Sequence, residues 1–243
     1  MGIAVIDLDA SSSCLREDDL PRMGKVMFRG FVCALVFVVG AANGQTTSDL
    51  PPVTAAATTK RIVFLGDSLT AGYGLPVEQS YPSLIAERIR AAHLPYEVVN
   101  AGLSGDTSAG GLRRIDWLLQ NKIDLLVIAL GANDGLRGLS PKMLETNLQA
   151  IIDKTKAKNP AAQIVVAGMQ MPPNLGADYA EKFQRVFAEV AKKNDAVLIP
   201  FLLANVGGHR DLNQPDSIHP TAAGQKIIAE TVWQALMPIL QRK

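Results

Sequence analysis

The succession of apolar patterns predicts an α/β chain folded as a three-layer α/β/α sandwich, with a five-stranded parallel sheet between two layers of helix. Three observations predict it. Short runs rich in Val, Ile and Leu recur along the chain, stretches of helical apolar period separate them, and glycines with polar neighbours cluster just after several of the runs. Parallel strands buried on both faces read as nearly continuous apolar runs, which is the pattern here.

In chain order, residues 45–60 (QTTSDLPPVTAAATTK) are small, polar and proline-bearing without apolar period, and read as a flexible linker. Arg61 to Leu65 is the first predicted strand, followed by a helical face of Tyr81, Leu84, Ile85 and Ile89. Glu97 to Asn100 is the second, followed by Leu112, Ile115, Leu118 and Leu119 on one face. Asp124 to Leu130 is the third, with Leu144, Leu148, Ile151 and Ile152 after it. Gln163 to Gly168 precedes Tyr179, Phe183, Val186, Phe187 and Val190, and Ala196 to Ile199 precedes a last helix over Thr221 to Leu240. Ligands of such sheets gather at the carboxyl ends of the strands. The segments after Leu65, Asn100 and Leu130 and the loop before Thr221 are therefore expected to converge.

The first 44 residues read as a leader. Lys25 and Arg29 precede the apolar run Phe31 to Val39, and Ala42 and Gly44 lead into Gln45, the layout of a secretory signal peptide. The run is shorter than the roughly 20 residues of a membrane-spanning helix, so no stable membrane span is expected after processing. Residues 1–22 carry five acidic side chains, unlike an export signal, which makes Met23 or Met27 the expected start. The organisation expected is thus a leader at 1–44, a linker at 45–60 and one catalytic domain at 61–243, periplasmic or secreted.

Both cysteines, Cys14 and Cys33, fall in that leader, so the exported chain would have neither a disulfide nor a thiolate nucleophile. The net charge is +1 at pH 7, and 20 basic against 18 acidic residues remain without the leader. A balance so near neutral supplies no dense cationic surface, and nucleic acid is not an expected partner. Only His93, His209 and His219 could offer imidazole to a metal, with no H-x-H or H-E-x-x-H spacing, so no metal site is expected.

Four segments carry candidate chemistry. Gly66-Asp67-Ser68-Leu69 ends the first strand in a tight turn that presents Ser68 as a nucleophile, although Asp67 and Ser68 read equally well as helix caps. In Asn100 to Thr107, Gly105 offers an unobstructed backbone N–H to an oxyanion, or is an ordinary turn residue. Asn133, in Gly131-Ala132-Asn133-Asp134-Gly135, donates hydrogen bonds without charge and suits the same oxyanion. In Pro215-Asp216-Ser217-Ile218-His219-Pro220, His219 can act as base with Asp216 fixing its tautomer, or the pair can cap the last helix. All four lie in loops at one edge of the predicted sheet, and together they supply nucleophile, base, orienter and oxyanion donors. Every chemical role then has a residue, and no cofactor is expected.

On these blocks the sequence resembles the GDSL, or SGNH, hydrolase superfamily. The stretches GDSLTAGYGL, NAGLSGDTSAGGLRRIDWLL, LGANDGLRGL, MQMPPNLG and DSIHPTAAGQ resemble its bacterial thioesterase, lysophospholipase and arylesterase branch over about residues 61–240. The resemblance implies a flavodoxin-like fold, roles for Ser68, Gly105, Asn133 and His219, and a small-molecule acyl ester, thioester or lipid substrate. Thr70 stands where an α/β-hydrolase elbow would have glycine, which disfavours that other fold. Leu75, Leu136, Leu139, Met169, Met171 and Pro172 are candidates to line an acyl groove, since Met and Leu adapt to flexible chains. Two alternatives stay open at this point: an acetyl esterase acting on acetylated carbohydrate, and a non-catalytic carrier on the same fold.

Overall fold

In the computed structural model, which describes residues 59–171 and 175–241, five strands form one parallel sheet. They are β1 (Lys60–Gly66), β2 (Tyr96–Gly102), β3 (Leu125–Ala129), β4 (Gln163–Ala167) and β5 (Val197–Ile199), in the spatial order β2-β1-β3-β4-β5. This is the flavodoxin-like order, whose chain reversal between β1 and β3 opens a crevice at the carboxyl ends of those two strands. The leader, the linker up to residue 58 and Pro172 lie outside the described residues.

Helices cover both faces. The set α3 (Ser108–Leu118), α5 (Pro141–Lys158) and α6 (Ala177–Lys193) packs together on one side, and α2 (Tyr81–Ala91) packs with α7 (Ala222–Leu240) on the other. Two short helices, α1 (Ser68–Ala71) and α4 (Ala132–Leu136), follow β1 and β3 directly. Ile62, Val63, Phe64 and Leu65 are all fully buried, as a strand sandwiched between two helical layers must be. Each such side chain contributes about 1.5–3 kcal/mol through burial. Phe64 meets Tyr81 edge to face at 5.6 Å, tying β1 to α2.

The expected strands are all present with shifted ends, and pairing explains the shifts. β2 runs on to Gly102 because Gly102 pairs with Gly66 at the end of β1. β3 begins at Leu125, just after Asp124, whose backbone bonds Arg61 O and Gln163 N–H on either side while its carboxylate takes the Arg61 N–H at 2.9 Å. Thr221 is the N-cap of α7 rather than its first residue, its hydroxyl accepting from Gly224 N–H.

The paired glycines also fix where α1 starts. A Cβ on Gly66 would fall 1.9 Å from Thr70 Oγ1, and one on Gly102 would fall 2.2 Å from the backbone nitrogen of Ala71. Only residues without a side chain let α1 fold back against the tips of β1 and β2.

Candidate active site

Ser68 is the first residue of α1, buried at the carboxyl end of β1. Asp67 caps the helix, its Oδ1 accepting from Leu69 N–H at 3.0 Å, so the capping role and the presentation of Ser68 coexist. Asp67 is itself buried and its Oδ2 has no partner among the described residues; desolvation, above all, pushes its carboxyl up to about 7. Nearby Asp106 and Asp134 push the same way. At the far end of α1, Asn100 donates to Thr70 O at 2.9 Å and accepts from Gly102 N–H, while buried Gln225 of α7 donates to Leu69 O at 3.1 Å and accepts from Tyr81 N–H at 2.8 Å. The helix bearing Ser68 is thus gripped from β2 and from α7.

The loop before α7 brings His219 to Ser68. His219 Nε2 lies 2.9 Å from Ser68 Oγ, and His219 Nδ1 lies 2.7 Å from Asp216 Oδ2. Asp216 Oδ1 also accepts the backbone N–H groups of Ile218 and His219, at 2.9 and 3.0 Å. These bonds, the His219 N–H first, hold the Asp216 carboxyl down at about 2. Ser217, at φ +59°, makes the bend between the two side chains. Gln214 braces the loop: its N–H donates to His219 O at 2.7 Å, and its amide donates to Tyr73 O at 2.7 Å and Pro220 O at 3.0 Å. The Tyr73 ring packs on the imidazole, centroids 4.4 Å apart.

Three N–H groups in the loops at the carboxyl end of the sheet are unspent among the described residues. The backbone N–H groups of Ser68 and Gly105 have no acceptor. Asn133, in the first turn of α4, uses one amide hydrogen on Asp106 O at 2.8 Å and keeps the other. Gly105 is exposed at φ +79°, a conformation that glycine adopts without strain. Asp134 joins α4 to the start of α3, accepting from Ser108 N–H at 2.8 Å and from its hydroxyl at 2.5 Å. Arg114 of α3 bonds Asp106 Oδ2 at 2.7 Å and Gly66 O at 2.8 Å, locking the loop before α3 to the tip of β1.

A groove of about 290 Å³ opens over Ser68 and His219, walled by Ala132, Asn133, Leu136, Met169, Met171, Leu203 and Ile218 among others. Leu136, Met169 and Met171 thus line this groove. Leu75 lies outside its wall: the Leu75 N–H closes a turn onto Gly72 O, and the chain passes into a single 3-10 turn at Val77–Gln79. Leu139 is outside it as well, and Pro172 is not among the described residues. A larger groove of about 550 Å³ between α2 and the edge strand β2 holds His93, with no Ser, Thr or Cys among the described residues that line it.

The sequence reading assigned no role to Asn100, Arg114, Arg137, Gln214 or Gln225. All but Gln214 stand inside the motif stretches it quoted, but each acts on a backbone group remote in sequence, which no spacing rule reveals. Chemically, the Ser68-His219-Asp216 line can move a hydroxyl proton onto an imidazole.

Residues 64–227 match the profile of the GDSL-like Lipase/Acylhydrolase family. The chain belongs to that family, and it is a serine hydrolase acting on ester bonds. It is similar to Esterase TesA of Pseudomonas aeruginosa, 42% identical over 77% of this chain and 93% of that protein. The crystal structure of a TesA, also 42% identical, superimposes with a TM-score of 0.71 over 74% of this chain and 99% of the other. An arylesterase of Vibrio mimicus is 38% identical over 75% of this chain and 91% of that protein. The Escherichia coli protein Thioesterase 1/protease 1/lysophospholipase L1 is 36% identical over 76% and 87%.

Proposed function

We propose that Ser68, His219 and Asp216 are the catalytic residues and that hydrolysis runs through an acyl-enzyme. The observation that carries this reading is the unbroken contact line from Ser68 Oγ through the imidazole to Asp216, at 2.9 and 2.7 Å. Asp216 accepts from Nδ1–H, which leaves Nε2 free to take the Ser68 proton as Oγ bonds to the ester carbonyl carbon. The carbonyl oxygen becomes an anion held by the N–H groups of Ser68 and Gly105 and by the free amide hydrogen of Asn133. The carbon–oxygen bond to the alcohol then breaks, His219 returns its proton to that alcohol, and water repeats the sequence on the acyl-serine.

The substrates proposed are acyl esters, with thioesters and lysophospholipids in the same groove. The apolar wall of Leu136, Met169 and Met171 supports an acyl chain there, and the names of the relatives favour acyl esters over acetylated carbohydrate. We also propose periplasmic or secreted enzyme, with 1–44 as leader, 45–60 as linker and 61–243 as catalytic domain; the signal-like pattern before Gln45 supports this. Among the described residues, no helix is long and apolar enough to cross a membrane.

A fluorophosphonate probe should label Ser68 stoichiometrically, and Ser68→Ala should abolish labelling and lower kcat by at least about 10⁴-fold. Asn133→Ala should cost about 10²- to 10³-fold in kcat. Labelling elsewhere, with full turnover by the Ser68 variant, would overturn the assignment.

A further inference from the structure

Two donors on one short helix hold two consecutive carbonyls of the loop before α3. Asn133 Nδ2 donates to Asp106 O at 2.8 Å, and Arg137 Nη2 donates to Gly105 O at 3.0 Å. The two residues are four apart, so they project from the same side of α4 and its C-cap. The segment they hold is a turn closed by Asp106 N–H on Leu103 O at 3.0 Å, with Gly105 in its third position.

Asp106 is secured several times over, by Asn133 on its carbonyl and by Arg114 on its carboxylate. Gly105 is not. It is exposed, its N–H is unspent, and its carbonyl has one described bond, the one from Arg137. Glycine accepts either sign of φ, so its own backbone preference does not aim its N–H.

We propose that Arg137 is a positioning residue: by holding Gly105 O against the helix that carries Asn133, it keeps the Gly105 N–H and the Asn133 amide at a fixed separation around one substrate oxygen. This rests on the reading of Gly105 as an oxyanion donor, so the test separates the two ideas. Arg137 touches no reacting atom, and its loss acts only through Gly105.

The test compares wild type with Arg137→Ala, Arg137→Lys and Gly105→Ala on a neutral p-nitrophenyl ester and on its thiono analogue. Sulfur accepts hydrogen bonds poorly, so a working oxyanion site prefers the oxo ester, and the oxo-to-thiono ratio in kcat/KM reports on the donors directly. At Gly105 a methyl group has room, with Arg137 4.0 Å away, but φ +79° is strained for alanine, so the substitution turns the N–H away.

Arg137→Ala should lower kcat about 10-fold, less than the roughly 10²- to 10³-fold of a donor removed outright, because the Gly105 N–H is misaimed rather than deleted. KM and melting temperature should stay unchanged, the ratio should fall, Arg137→Lys should recover part of the loss, and guanidinium ion added to Arg137→Ala should do the same. Gly105→Ala should lower the ratio at least as far. A normal ratio in Arg137→Ala beside a lowered one in Gly105→Ala would overturn the role of Arg137 and leave Gly105 as a donor. Normal ratios in both would remove Gly105 from the oxyanion site, and the proposal with it. A rise in KM alone in Arg137→Ala would make Arg137 a substrate contact and overturn the positioning role.

Discussion

His219 Nε2 stands 2.9 Å from Ser68 Oγ across 151 residues of chain. Neither side chain is placed by its neighbours in sequence alone. Gln225 and Asn100 hold α1 at one end of the contact, and Gln214 and Asp216 hold the loop at the other. The pair is therefore as rigid as those remote bonds, and substitutions there should register at the active site.

Asp216→Asn should keep the turn, because an amide oxygen can still accept from the backbone of Ile218 and His219, while the side chain facing Nδ1 no longer demands an N–H from it. Loss of that tautomer control should reduce kcat by about 10²- to 10⁴-fold with an unchanged melting temperature. The wild-type carboxyl, held at about 2, contributes stabilisation above its unfolded value near 3.9 and loses it as pH falls toward 2. Asp216 accordingly stays ionised from pH 4 upward, and an inflection of kcat/KM above pH 4 should belong to another group. Steady-state kinetics of both proteins from pH 4 to 9 checks this.

Asp67 has the opposite sign. Its carboxyl is pushed up to about 7 in the fold, so between about pH 4 and 7 the folded chain holds a proton that the unfolded chain has released. Stability should fall as pH rises through that window. Asp67→Asn, which keeps an acceptor for Leu69 N–H, removes this dependence. Its stability relative to wild type should increase from pH 4 to 7 and level off above, by urea denaturation at a series of pH values. A difference constant with pH would show that Asp67 is not protonated in the fold.

Gln225→Leu retains the volume of a buried side chain and strands two backbone groups, Leu69 O and Tyr81 N–H. Each stranded group costs about 1–3 kcal/mol. Denaturation should register the loss, and because α1 loses its tie to α7, kcat should fall as well while KM holds.

Met171 is a movable wall of the groove. A methyl group on Gly135 would lie 2.2 Å from Met171 Sδ, so Gly135→Ala must displace that side chain, which its flexibility permits. Met171→Ala should shift the preference among p-nitrophenyl esters toward longer acyl chains. Gly135→Ala should change the same profile by pushing Met171 aside, leaving labelling of Ser68 intact.

How much of this was legible beforehand follows from range. The five strands could be read because Ile62 to Leu65 and their counterparts carry an apolar pattern that local sequence displays in full. Ser68, Asn133, Asp216 and His219 could be singled out because all four fall in loops at one edge of the predicted sheet and fill complementary chemical roles. α4 has no helical signature in sequence, since Ala132–Leu136 contains Asn, Asp and Gly, poor helix formers that tertiary bonds of Asn133 and Asp134 hold in place. Leu75 stands outside the groove wall because its position depends on a turn closed onto Gly72 O, not on its hydrophobicity. Arg137 and Gln225 are not legible because their partners are backbone groups, and a backbone group has no signature in sequence.

The first strand delivers Ser68, while His219 arrives just ahead of α7, the last helix. If those two residues are the nucleophile and its base, a ribosome must finish nearly the whole chain before any hydrolytic power exists. Incomplete translation products that stop between the two would lack the base and be inert toward the esters they meet during synthesis.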